Sequence, residues 1–117
     1  MVKIENSKGS ISISADVFTN IAGDAATRCF GVKGMAGKSK ESGLYMLLRR
    51  ESMSKGVSVS FDTEGRAVIA LHIVVDHGVN IAVLGESIKK EVSYKVSEAT
   101  GVPVGRVDVF VDSMICD

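Results

Sequence analysis

The stretch RAVIALHIVVDHGVNI, residues 66–81, decides how this chain folds. Its first part alternates: Ala67, Ile69, Leu71, Ile73 and Val75 fall on one face of an extended strand, because successive side chains of a strand point to opposite sides. Its second part breaks that period. After Gly78 the apolar residues Ile81, Leu84, Ile88, Val92, Val96 and Ala99 recur at helical spacing over five turns, and Gly101 with Pro103 supplies the stop signal. A buried strand that turns directly into a long helix is therefore the central unit, with GVNI as the turn that launches the helix.

Upstream of the strand, VSVSF at 57–61 places Val57, Val59 and Phe61 on one face and serines on the other. The intervening DTEG, residues 62–65, has the aspartate and terminal glycine of a tight turn, so 57–76 reads as a β-hairpin. Downstream of the helix, Val107, Val109 and Val111 alternate with Arg106, Asp108 and Asp112 in a last strand. Nearer the amino terminus, SISIS at 10–14 alternates like a strand with one wet face. Phe18, Ile21, Ala22, Ala25 and Cys29 then keep helical spacing, and Ser14 or Asp16 is suited to cap that helix. GVKGMAGKSKESG, residues 31–43, reads as a loop because its glycines, lysines and serines break every period. Leu44, Leu47, Leu48 and Met53 suggest a short helix carrying Arg49 and Arg50 on its wet side.

The predicted order is strand, helix, loop, short helix, hairpin, long helix, strand. It implies an α+β two-layer sandwich: a mixed sheet with its helices on one face, compatible with a KH-like arrangement. The 117 residues fit a single domain, 1–117, with no repeat or linker to divide it. With 45% hydrophobic and 24% charged residues the composition is that of a folded soluble protein. There is no tryptophan, so the core must be mostly aliphatic. Fourteen basic residues balance fourteen acidic ones, which gives no whole-chain field for nucleic acid. MVKIENSKGSISIS lacks the apolar core of a signal peptide, and no run approaches the roughly 18 apolar residues of a membrane span, so a cytoplasmic protein with reduced Cys29 and Cys116 is expected.

The chemistry-bearing residues are few. His72 and His77 stand on opposite faces if the strand continues through 77, and about 16 Å of extended chain separates them at ~3.3 Å per residue, so they cannot share a metal. Neither cysteine has the short ligand spacing of a zinc site. GKS at 37–39 lacks the first glycine of a P-loop, since Val32 occupies that position, and it follows a helix rather than a strand. No nucleophile stands beside a base in a recognisable pattern, so neither catalytic residues nor a cofactor are expected. Asp108 and Asp112 read as solubilising charges on the last strand.

Two surface features remain. The even face of the central strand carries Val68, Ala70, His72 and Val74, joined by Phe110 of the last strand. A face open to water should be more polar, so it is either a docking or self-association surface or a face covered by the chain's own terminus. The segment from Lys33 to Lys55 carries Lys33, Lys38, Lys40, Arg49, Arg50 and Lys55 against Glu41 and Glu51, a local charge of +4 that the rest of the chain offsets. Within it GVKG, Gly31 to Gly34, has the GxxG form that clamps a nucleic-acid backbone between two helices of a KH domain. A KH-like nucleic-acid-binding module is thus the alternative to an interaction protein, and a solvated loop is the plainest reading of the same charges.

Taken together, GSISIS, DVFTNIAGDAA, FGVKGMAG, LLRRESMSKGVSV, HIVVDHGVNI and ATGVPVGRVDVFVDSM, in that order from about Gly9 to Ile115, resemble the alkaline shock protein or Gls-type family of Gram-positive envelope stress response proteins. The chain looks like a small single-domain member. The resemblance implies a cytoplasmic, non-enzymatic protein of cell-envelope homeostasis. It would act as a homo-oligomer or through a membrane-anchored protein, without direct membrane insertion. It also implies a fatty-acid-kinase-like neighbour, and the family carries no catalytic, cofactor or metal residues to transfer.

Overall fold

The computed structural model describes residues 2–38, 45–47 and 56–115, with side chains placed outside 36–38 and 45–47. Strand β1 (Val2–Asn6) and strand β2 (Gly9–Ile13) form an antiparallel hairpin that is a sheet of its own. Helix α1 (Ala15–Thr27) follows, then β3 (Val32–Lys38), β4 (Tyr45–Leu47), β5 (Val57–Phe61), β6 (Ala67–Asp76), helix α2 (Ile81–Thr100) and β7 (Val104–Ile115).

The main sheet is built around β6. β7 runs parallel to it along its whole length, from Ala67↔Val104 to Asp76↔Ile115. Because β7 occupies one edge of β6, the other is shared: β5 pairs antiparallel with its first half and β3 antiparallel with its second. β4 extends the sheet beyond β3. The result is the expected mixed sheet. Both helices lie on its odd face, where Phe18, Ala22, Ala25 and Ala26 of α1 and Leu84, Ile88, Val92 and Val96 of α2 join Ile69, Leu71, Ile73 and Val75 in one core. Phe18 meets Phe61 edge-on at 5.3 Å, a favoured aromatic geometry. The small residues of α1 allow that helix to sit close to the sheet and to α2.

Local chemistry sets the element ends. The Asp62 side chain accepts the backbone N–H groups of Glu64 and Arg66, both at 2.9 Å, and Gly65 takes a positive φ of 79°, which closes the β5–β6 turn. Asn80 Oδ1 accepts the Val83 N–H at 3.1 Å and caps α2, and Gly101 at φ 73° ends it with its N–H on Ser97 O. Ser14 caps α1 by backbone position alone, with no side-chain bond.

Three expectations are corrected. Residues 32–38 are not loop but strand: the β6 edge left free by β5 supplies the ladder that this glycine-rich segment could not announce by alternation. Residues 45–47 of the expected short helix are strand β4, held by Ala36↔Leu47 and Lys38↔Tyr45 pairing, while Leu48, Arg49, Arg50 and Met53 lie outside the described residues. Strand β1 precedes the predicted first strand, placing Ile4 opposite Ile11.

Candidate interaction site

β6 alternates between core and outer face. Its odd residues are fully buried under the helices, whereas Val68, Ala70 and His72 are half-buried on the opposite side. Parallel pairing sets His72 beside Phe110, and the two rings stack at 4.8 Å and 11°. Phe110 is 47% exposed. Val74 differs from its neighbours: it is 2% exposed and lies outside the helix-side core cluster, so the even face is covered at that position and Val74 is not part of the open contact surface.

Past Val111 the pairing slips, so that Ile73 faces Val111 but Val74 faces Ser113. Asp112 is the extra residue of that bulge. Its Oδ2 lies 2.8 Å from His72 Nδ1, so the imidazole is fixed between a carboxylate and a phenyl ring. Asp112 is therefore the partner that orients His72, where simple alternation makes it a solubilising charge. Asp108 does remain at the surface, paired with Arg106 at 3.0 Å. The N-terminal hairpin does not lie over this face: Val2 and Ile13 pack against the helix-side core.

His77 is well separated from His72. It follows β6, donates its backbone N–H to Ile115 O, and lines a cleft of about 900 Å³ between the end of α1 and the start of α2. Arg28, Cys29 and Phe30 form one wall; Asp76–Asn80, Val83, Leu84, Ser87 and Glu91 form the rest. Phe30 stands 94% exposed at its mouth. Gly31, at φ 97°, ties the two walls together: its carbonyl accepts the Asp76 N–H at 2.8 Å, and a Cβ there would come within 2.8 Å of Val79 Cγ1. Sequence reasoning missed this cleft because its walls come from segments about fifty residues apart. An aromatic residue immediately after an amphipathic helix, at a position outside its apolar stripe, was the available signal.

Burial, and secondarily the charge of Glu91, pushes the Cys29 thiol above its ordinary range, which opposes a thiolate nucleophile. Its Sγ donates to Ala25 O at 3.5 Å. Among the described residues no group of three or more His, Cys, Asp or Glu side chains is placed to hold a metal ion.

The basic segment is dispersed in part. Lys33 Nζ binds Asp76 Oδ1 at 3.2 Å, and Lys38 ends β3. Lys40, Arg49, Arg50 and Lys55 lie outside the described residues. The GxxG of Gly31–Gly34 is not a loop between two helices. Val32 and Gly34 are in register with Val75 and Val74 of β6, so their backbone is already engaged in a sheet and the KH-type clamp is absent.

No helix among the described residues is long and apolar enough to cross a membrane. The fold is similar to those of two variants of MamM-CTD, each with a TM-score of 0.51 and 14% identity, covering 86% of this chain and 98% of the other. Across 115 residues the chain is 33% identical to the uncharacterized protein YloU of Bacillus subtilis (strain 168), covering 97% of this chain and 94% of the relative. It is 34% identical over 114 residues to the uncharacterized protein Spy1614 of Streptococcus pyogenes serotype M6, covering 97% and 93%. Residues 3–116 match the model of the alkaline shock protein 23 family, described by a cell envelope-related function, and the chain belongs to that family.

Proposed function

We propose that this envelope-related protein is a non-enzymatic scaffold of the cytoplasm, without a cofactor, that acts through self-association and through a membrane-anchored partner. The observation that carries the proposal is the outer face of the sheet. Val68 and Ala70 form a small apolar patch between Ser58 and Ser60 of β5 and Arg106 and Asp108 of β7, and the exposed Phe110 ring stands at its end, held in place by the stacked and hydrogen-bonded His72. A fixed aromatic beside an apolar patch with a polar rim has the composition of an interface anchor, because little side-chain freedom is lost when a partner covers it.

The test has two arms. Concentration-dependent light scattering of the purified protein should show association that Phe110→Asp weakens, and in the native cell the wild-type protein should sediment with membranes while Phe110→Asp moves to the soluble fraction. A wild-type protein that is strictly monomeric at high concentration and absent from membranes would overturn the reading.

A further inference from the structure

Strand β7 spans twelve residues and pairs with β6 on one side only. Among the described residues no strand lies along its other side. Such an edge presents a row of unpaired backbone N–H and C=O groups, and proteins usually blunt it with proline, charged side chains, bulges or a very short strand. VGRVDVFVDSMI has no proline or lysine, and its bulges at Gly105 and Asp112 leave the stretch from Arg106 to Val111 regular between them. The core is also open along this edge. Val109 and Val111 face the helices yet are only half-buried, and with Ile81, Gly85 and Lys89 of α2 they line a shallow groove of about 210 Å³. Ile81 is 41% exposed beside it.

We infer that a second copy of this chain pairs antiparallel with β7 about a two-fold axis beside Val109, joining the two sheets into one. The inference rests on the reading above that the chain self-associates and places the contact between copies at the strand edge, which leaves the outer face to the membrane-anchored partner. A two-fold perpendicular to the sheet keeps the helices of both copies on one face and opposes residues of like parity. Charge then selects the register. With the axis at Val109, Arg106 of each copy faces Asp112 of the other, Val107 faces Val111, and Val109 faces itself.

Moving the axis to Phe110 sets Asp108 against Asp112 twice, and moving it to Asp108 sets that residue against its own copy; like charges directly opposite are destabilising. The regular part of the β6–β7 ladder also begins at Arg106 and ends at Val111, between irregularities at Gly105 and Asp112, so the new ladder closes where β7 ceases to be straight. Among the described residues Arg106 is exposed and bonded only to Asp108 of its own strand, and Asp112, its side chain 11% exposed, places Oδ2 on His72 and makes no further bond. Pairing at this edge would close the α2–β7 groove and bring two His72–Phe110 stacks onto one continuous outer face.

The experiment uses the full chain with Cys29→Ser and Cys116→Ser, circular dichroism confirming the fold of each variant. Opposed Cα atoms in an antiparallel pair lie about 4.5–5.5 Å apart, within the range a disulfide spans. Val109→Cys should therefore give a disulfide-linked dimer on mild oxidation, and Asp108→Cys should give several-fold less. Independently, Arg106→Asp should raise the concentration needed for association in sedimentation by about tenfold, since two opposite-charge pairs become like-charge pairs, and Arg106→Lys, which keeps the charge, should leave it nearly unchanged.

Association that persists without a Val109→Cys crosslink and without response to Arg106→Asp would overturn the edge and leave the proposed function standing. A strict monomer at every concentration would overturn both. Should Val109→Cys fail to fold, the contrast between Arg106→Asp and Arg106→Lys decides alone.

Discussion

Gly31 joins two parts of the sequence that are far apart along the chain. Its positive φ of 97° lets the carbonyl reach the Asp76 N–H, and its missing side chain leaves room for Val79 Cγ1. Gly31→Ala combines a backbone strain with a steric conflict, together about 1–3 kcal/mol of lost stability. The two contributions can be separated by urea denaturation. Val79→Ala in the same chain should return part of the loss, because it removes the conflicting methyl, and the remainder should be the φ strain that no change at Val79 relieves. Full recovery in the double variant would show that the backbone conformation costs nothing there. At this scale Asp112 carries a second lesson. Its role was not legible from spacing, since a one-residue bulge changes which neighbour a strand residue meets, and only the paired strand reveals the bulge.

Among the elements, the β5–β6 turn depends on a single carboxylate. The backbone N–H of Arg66, then that of Glu64, and the Arg66 guanidinium hold the Asp62 carboxyl below its ordinary value of 3.8. A lowered folded value means that ionised Asp62 stabilises the turn at pH above 3.8, and that this contribution is lost as pH falls through the folded value. The Glu64 and Arg66 amide resonances should therefore titrate together with a midpoint under 3.8, and Asp62→Asn should abolish that titration. A midpoint at or above 3.8 would mean that the turn does not depend on the charge. This hairpin and α2 were legible in the sequence because strict alternation, an Asx turn and complete caps all point the same way. β3 was not, for a physical reason: with Gly31, Gly34 and Gly37 at regular intervals, its strand character lies in backbone pairing to β6 rather than in its side chains. The outer face was legible as an apolar even row, but the burial of Val74 within it was not.

At the scale of the molecule, stability is unevenly distributed. The helices and β6 share one core, but β1 and β2 form a separate two-stranded sheet, and among its described hydrophobic residues Val2 and Ile13 pack against that core. An isolated hairpin is marginal in water, so this arm should open without unfolding the rest. Its cross-strand pair Ile4 and Ile11 is 38% and 60% exposed, whereas Leu71 is fully buried. Replacing both isoleucines with threonine should leave global stability within about 0.5 kcal/mol, while Leu71→Ala should cost about 2–5 kcal/mol through the cavity it leaves. Hydrogen exchange reads the same difference amide by amide. β6 amides should exchange only through global unfolding, and those of β1 and β2 through local opening with far less protection. If instead the arm's amides are as protected as those of β6, and the threonine pair lowers protection throughout the sheet, the hairpin is part of the cooperative core and Ile4 and Ile11 serve the fold.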